Sequence, residues 1–485
     1  MFLGIDIGTS GVKAACVAED GTLLGQGTAS LTVSRPQPTW SEQDPDAWWR
    51  ATEAAVLAID PTVRRKVRGI GVAGQMHGAT LLGADDRPLR PAILWNDGRS
   101  LAECAALTNS VPDFQTVAGN LAMPGFTAPK LLWVRDHEPD IFAATKTVLL
   151  PKDFVRLQMT GEKVSDMSDA AGTLWLDIDH RAWSPTLLTA TGLDLSHMPR
   201  LVEGSEVSGQ LRADVAERWG MAVVPVAGGG GDNAAGAVGV GVVGEGDALL
   251  SLGTSGVIFV ATDSFRPNPA RAVHAFCHCL PAVWHQMSVH LSAASCVDWV
   301  ARITGANSPA DVFERAQATG PAAGRELFLP YLSGERSPYN DPLVRAGFLQ
   351  LDNDTDAGRL SQAVLEGVAF ALGDGLDALR DAGTSISHLS VIGGGARSRY
   401  WGRILSAALE TPLVYLHGGE VGPALGAARL AQLAIDGGAP RDVCQPPPVD
   451  HVVEPDADDI ALLAPKKAAF RAAYPKITPK HGTPS

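Results

Sequence analysis

Apolar and polar positions at the start of the chain fall into short blocks. Positions 3–7 form an apolar run, Gly8-Thr9-Ser10-Gly11 a turn and positions 12–17 a second run, which predicts two paired strands. Asp20-Gly21 is a tight hairpin signal leading into a third strand. The period then changes. Positions 41–44 followed by Pro45 open a helix through Trp48 and Ala55, with proline where a missing N–H costs nothing. Positions 70–73 read as another short strand, ending at Gly74-Gln75-Met76-His77-Gly78.

Helical spacing returns at positions 295–303 and 360–379, and positions 389–392 form a strand running into Gly393-Gly394-Gly395. The segment 418–423 leads into an Ala/Leu-rich helix at 424–435. Positions 437–459, with Pro446-Pro447-Pro448, read as a linker to a terminal helix around 461–473, and the tail after Pro475 as loose.

One pattern occurs twice. Ile7-Gly8-Thr9-Ser10-Gly11-Val12 recurs near the midpoint as Leu252-Gly253-Thr254-Ser255-Gly256-Val257, each copy between two apolar strands. Gly/Thr/Ser turns are common, but duplication would put two similar domains back to back. The copies differ at one telling place, where Asp6 in the first corresponds to Ser251 in the second.

Bulk properties narrow the function. A length of 485 residues suggests two or three domains, and 45% hydrophobic with 19% charged residues is globular composition. A net charge of −14 argues against wrapping a nucleic-acid backbone. A nucleotide remains compatible, held locally by backbone N–H groups and a divalent cation. The six cysteines are scattered rather than spaced as a disulfide framework. Cys277-His278-Cys279 has no second Cys/His pair nearby and reads as alternating strand residues. The start, MFLGIDIGTS, has no basic stretch and does not read as a signal peptide, and the apolar segment 223–243 is too rich in Gly to span a membrane. A cytoplasmic protein is expected.

Three glycine-rich turns follow apolar strands, at Gly8, Gly253 and Gly393–Gly395. Glycine there lets successive N–H groups converge on an anion. No Walker ending is present, and the triple glycine lacks dinucleotide spacing. Asp232, among Gly228–Gly231 and Asn233-Ala234-Ala235-Gly236, is either a helix N-cap or a general base fixed at a helix start. Asp6 is either a turn-stabilising residue or a carboxylate facing a metal ion carried by phosphate oxygens. An isolated histidine such as His77 is more often structural than a ligand. Trp95-Asn96-Asp97-Gly98-Arg99 gathers polar groups that could line a small-molecule site.

These motifs, in order and spacing, resemble the FGGY family of carbohydrate kinases. The likeness rests on Gly4–Ser10, on Ala73–Gly78, on Gly125–Trp133, on Gly228–Gly236 and on Ser251–Gly256, and runs from about residue 2 to about 435. Trp40–Pro45, Gln75–Gly78, Ser165–Gly172 and Gly334–Pro338 resemble the members that phosphorylate D-xylulose. The resemblance implies an α/β fold of two ribonuclease H-like (actin-like ATPase) domains with ATP and sugar in the cleft between them. The expected division is 1–243 for an N-terminal domain with the sugar site, 244–436 for a C-terminal domain with the nucleotide site, and 437–485 for linker and tail.

Carried over, Asp232 is the general base and Asp6 the carboxylate toward Mg²⁺, through water. Met76, His77, Asp232 and Asn233 bind sugar, while Gly8, Thr9, Ser10, Gly253, Thr254, Gly394 and Ser398 hold ATP. Some relatives carry Asn where this chain has Ser398. Kinases for ribulose, gluconate or glycerol share the family, and non-kinase ATPases share the fold. The partners implied are a small sugar and ATP, with neither nucleic acid nor membrane, and the oligomeric state is open between monomer and homodimer.

Overall fold

The computed structural model describes residues 1–417 and 422–477. Most of the segment 418–423 and the end of the tail lie outside the described residues.

The first half is built on a seven-stranded sheet. Its strands are β1 (Phe2–Ile7), β2 (Gly11–Val17), β3 (Leu23–Ser30), β4 (Ile70–Gly74), β5 (Val207–Gln210), β6 (Pro225–Ala227) and β7 (Gly230–Gly231). They lie in the order β5-β6-β4-β1-β2-β3, with β7 also paired to β4. β1, β2 and β3 form an antiparallel meander. β4 runs parallel to β1, β6 and β7. The early strands form where the apolar blocks predicted them, because nearly every residue of β1, β2 and β4 is covered by packing.

The second half repeats this plan. Its strands are β8 (Ala248–Leu252), β9 (Gly256–Thr262), β10 (His274–Cys277), β11 (Trp284–His290), β12 (Leu389–Ile392), β13 (Leu413–Leu416) and β14 (Val449–Val453). Their order is β10-β11-β9-β8-β12-β13-β14. Again antiparallel strands, β8 with β9 and β9 with β11, are joined to parallel neighbours, β8 with β12 and β12 with β13. The helix Ala357–Asp381, longer than the apolar spacing marked, buries most of its length against this half.

Two sequence readings need correction. The stretch read as a linker carries the helix Pro440–Val443 and the edge strand β14, paired to β13. An edge strand needs no full apolar face, and Val-Asp-His-Val-Val lacks clean alternation, so the nearby prolines dominated the reading. The alternation expected through Cys277-His278-Cys279 stops at Cys277, where β10 ends. The terminal helix is also longer than expected, Ala457–Ile477.

The halves exchange helices at their junction. The helix Gly422–Asp436 comes late in the chain yet lies on the first sheet. Gly4 and Gly71 leave room for it, since a Cβ at either would come within 1.8 Å of the carbonyl of Ala424 or Ala427. The helix Asp232–Gly239 crosses it closely, with Ala235 O where a side chain on Gly426 would be. Ala237 and Val240, in turn, pack with Leu249, Phe259 and Phe276 of the second half. Each half thus grips an element of the other beside the point where the strand ends converge.

Candidate active site

Three parallel strand ends meet at one place. In register, Asp6 of β1 faces Ala73 of β4, and Ala73 faces Gly230 of β7. The chain leaves β7 directly into the helix that begins at Asp232. Asp6 and Asp232 therefore stand at the carboxyl ends of the two strands that flank β4, where open parallel sheets leave room for ligands.

The cap reading of Asp232 is not what forms. Gly231 occupies the N-cap position and Asp232 the first helical one. Asp232 Oδ1 accepts from the backbone N–H of Asn233 at 2.7 Å and from Asn233 Nδ2 at 2.9 Å. Its Oδ2 has no hydrogen bond from the described residues, and the residue lines a cavity of about 300 Å³. Burial pushes the Asp232 carboxyl up to about 6, against those two hydrogen bonds. Burial first, and Asp232 second, push Asp6 up to about 7, with Lys13 opposing. Asp6 Oδ1 is buried without a hydrogen-bond partner.

A buried polar cluster fixes the loop that delivers Asp232. Lys152 Nζ lies 2.6 Å from Asp153, 2.7 Å from Asp166 and 2.9 Å from Asp169. Ser168 Oγ donates to Asp166 at 2.5 Å and accepts from Gly231 N at 3.0 Å. Arg156 donates to Gly228 O. The segment Ser165–Gly172 thus acts from behind the loop, and only its last residue approaches the cavity wall.

That last residue seats His77. A Cβ on Gly172 would lie 2.6 Å from His77 Cε1, so only glycine lets the ring approach. His77 Nδ1 is 2.7 Å from Gly172 O. A carbonyl only accepts, so Nδ1 carries the proton and Nε2 keeps a lone pair. Burial, then Lys130, pushes His77 down to about 3, so the ring is neutral. Its backbone is left-handed, φ 68°. Lys130 Nζ donates to its carbonyl at 2.8 Å and Thr127 Oγ1 at 3.2 Å, holding that conformation. Met76 and Phe126 complete this wall, with Phe126 edge-on to His77 at 4.6 Å between ring centres.

Trp95 also lines the cavity, and its indole N–H donates to Thr9 Oγ1 at 3.0 Å. Thr9 Oγ1 donates onward to Gln75 Oε1 at 2.8 Å. The hydroxyl of the first turn is therefore tied to the cavity wall, while that of Ser10 is exposed and makes no hydrogen bond among the described residues. Of the segment 95–99, only Trp95 reaches the cavity. Arg99 is buried, paired with Asp97 and Glu42 at 2.8 Å and stacked on Trp40, so its polar groups serve the interior.

Across the cavity lies the second hairpin. Ser251 and Ser255 line it, and Thr254 is exposed. The carbonyls of Gly253 and Thr254 accept from Ala294 N and Ala293 N at 2.9 Å, anchoring the turn to the start of the helix Ala294–Thr304. The Gly393–Gly395 turn packs on Leu252, and around Gly394 the space is open. Ser398 caps the helix Arg399–Leu409, its Oγ accepting from Trp401 N at 3.2 Å. Met76, His77, Asp232 and Asn233 thus share one cavity; Gly8, Thr9, Ser10, Gly253, Thr254 and Gly394 lie on turns at strand ends, and Ser398 sits at a helix start.

Residues that motif reading gave no role also line this cavity: His274, Phe276 and Arg336. They come from the second half, distant in sequence. Only Arg336 carried a signal, inside Gly334-Glu335-Arg336-Ser337-Pro338.

Comparison with known proteins shows the family. The model of the N-terminal domain of the FGGY family of carbohydrate kinases matches residues 1–239, and that of the C-terminal domain residues 248–435. The chain is 52% identical over 481 residues to the xylulose kinase of Escherichia coli (strain K12), covering 99% of each. The crystal structure of a xyloylose kinase from Brucella ovis superposes with a TM-score of 0.95 at 50% identity, over 98% of each chain. That of a xylulose kinase from Rhodospirillum rubrum gives a TM-score of 0.91 at 28% identity, again over 98% of each.

Proposed function

The chain belongs to the FGGY family of carbohydrate kinases, with that family's two actin-like ATPase domains, and from this premise we propose that it phosphorylates D-xylulose with ATP, using Asp232 as general base. One observation carries the mechanism. A carboxylate oxygen without a partner among the described residues faces a half-open, sugar-sized cavity whose far wall includes Ser251 and Ser255 of the second hairpin.

The reaction follows from these groups. Met76, the neutral His77 and Asn233 hold the ketose, with His77 Nε2 accepting from a hydroxyl. Asp232 takes the proton of the sugar's terminal hydroxyl, and that oxygen attacks the γ-phosphorus in line. The new O–P bond forms as the bond to the β–γ bridging oxygen breaks, and ADP leaves. The N–H and hydroxyl groups of the turns at Gly8–Ser10 and Gly253–Thr254, with Gly394, bind the phosphates. The unpartnered, buried Oδ1 of Asp6 fits a hydrated Mg²⁺, for which Asp6 would be the anchor through water. Bound there, the ion supplies neutralisation of charge on the transferring group. Membrane attachment through a spanning helix has no support, because no described helix is long and apolar enough.

The test is a coupled turnover assay with D-xylulose, ribulose, gluconate and glycerol. D-Xylulose is expected to give the highest kcat/KM. A higher value for another acceptor moves the chain to a different branch of the family. Absence of turnover with every acceptor, but steady ATP hydrolysis, would make it a non-kinase ATPase.

A further inference from the structure

We infer that Arg336 is a sugar-contacting residue supplied by the second half of the chain, and that His274 and Asn120 position it. This rests on the reading of the cavity as the sugar site.

A chain of hydrogen bonds fixes the orientation. Asn120 Nδ2 donates to Ala118 O at 2.9 Å and to Ala275 O at 2.8 Å, so its Oδ1 must be the acceptor. His274 Nδ1, at 2.9 Å from Asn120 Oδ1, then carries the proton. His274 Nε2 is left with a lone pair, and Arg336 Nη1 donates to it at 3.3 Å. Phe126 and Phe276 flank the His274 ring, each at 5.6 Å between centres, which prevents its rotation. Asn120 belongs to the first half, so the relay spans the junction of the two halves.

The guanidinium is otherwise uncommitted. Among the described residues no carboxylate lies within ion-pair distance of Arg336. The adjacent acid, Glu335, is occupied, since its Oε1 accepts from Leu291 N at 3.0 Å and Arg336 N at 2.8 Å and its Oε2 faces His290 Nδ1 at 3.3 Å. An unpaired buried cation has no value to folding, because desolvation opposes it. Burial indeed pulls the Arg336 guanidinium below its ordinary range. Its exposed face is the cavity wall.

A guanidinium with four N–H donors still free suits two adjacent oxygens. A ketose offers such pairs, either vicinal hydroxyls or the carbonyl and its neighbour. Asp232 takes hold of the hydroxyl that reacts, and Arg336 would hold oxygens further along the chain. The acceptor class this favours is a polyhydroxy compound long enough to reach both.

Arg336→Met is compared with the wild type for KM of D-xylulose, KM of ATP and Tm. Loss of hydrogen bonds from a charged donor is expected to raise the sugar KM roughly 10- to 100-fold. ATP KM should stay within about twofold and Tm within about 3 °C. Arg336→Lys, which keeps charge but loses the fork, should fall between. His274→Phe should raise the sugar KM by less than Arg336→Met, again without moving ATP KM. A wild type active on D-xylulose together with an unchanged sugar KM in Arg336→Met overturns the inference and leaves the kinase reading standing. Equal rises in both KM values, or unfolding of both Arg336 variants, also overturn it, since either makes the residue structural. A wild type inactive on every sugar removes the kinase reading and this inference together.

Discussion

The two echoed hairpins have the same scaffold and different chemistry. In the first, Ile7 pairs with Val12 across Gly8–Gly11, and Gly8 N donates to Gly11 O at 3.0 Å. In the second, Leu252 pairs with Gly256, and Gly253 N donates to Ser255 O at 3.0 Å, so the turn is one residue tighter. Each central strand has a parallel neighbour ending beside a ligand wall: β4 before Gln75-Met76-His77, and β12 before Gly393–Gly395. At the matched position, however, Asp6 stands in register with Lys13, and Ser251 with Val257. The first half thus concentrates acid, Asp6 and Asp232 on either side of β4, where the proposed mechanism calls for a base and a cation anchor. The second offers neutral donors where the proposed mechanism brings a polyanion. Carboxylates in both turns would repel the nucleotide from either side.

Removing the base should give the largest effect. Asp232→Asn is nearly isosteric, and Gly231, not Asp232, holds the cap position, so Tm should scarcely change. Without proton acceptance, kcat should fall roughly 10²- to 10⁴-fold. A variant keeping a third or more of wild-type kcat would falsify the catalytic role.

Making the first hairpin like the second should cost somewhat less. Asp6→Ser is expected to lower kcat roughly 10²- to 10³-fold with little change in sugar KM, because the lost interaction belongs to the transferring phosphoryl group. Ser251→Ala, at the matched position, should cost less than about tenfold. If the two variants proved equally impaired, the functional asymmetry of the hairpins would be wrong.

Much of this plan was legible in the chain because it is local. The Gly/Thr/Ser turns, their flanking strands and Asp232 after its glycines are contiguous motifs whose backbone needs leave a mark in composition. Taken as a lone residue His77 read as structural, and only the motif resemblance pointed to it, since its placement depends on Gly172, Thr127 and Lys130 folding around it. His274 was equally silent, and Arg336 was marked only by its place in the segment Gly334–Pro338. They acquire a role only when the halves close on one another, and neither periodicity nor spacing encodes that. β14 was missed because pairing to β13 determines it more than its own residues do.

Titration provides a third way to separate the hairpins. Asp6 is raised from 3.8 to about 7, so the folded chain keeps a proton that the unfolded chain releases near pH 4. Between about pH 4 and pH 7 the folded state binds more protons, so stability falls as pH rises through that window. In the absence of nucleotide, Tm should therefore drop from pH 5 to pH 8. Asp6→Asn should flatten the curve and stabilise the chain at pH 8, by roughly 2 to 4 kcal/mol at most. Parallel curves for the two proteins would show that Asp6 does not carry this linkage. Ser251 does not titrate, so no matching change in the second hairpin should alter the slope. Activity should move the opposite way, rising through about pH 6 as Asp232 ionises.

The smallest effect should come from Ser398, at the edge of the second hairpin's territory. Its Oγ accepts from Trp401 N and so caps the helix Arg399–Leu409, although the hydroxyl proton stays free to donate to a nucleotide. Cap and nucleotide contact predict different outcomes for Ser398→Ala. Losing a cap alone should cost about 1 kcal/mol, lower Tm by roughly 2 °C and leave ATP KM within about twofold. Losing a contact to ATP should raise its KM roughly three- to tenfold, with kcat unchanged. Ser398→Asn separates them further, because asparagine caps a helix as well as serine does and should restore Tm. It also reaches further than serine. If Ser398→Asn recovers Tm and lowers ATP KM below wild type, this helix start contributes to nucleotide binding; if it recovers Tm alone, the cap is the whole of its role.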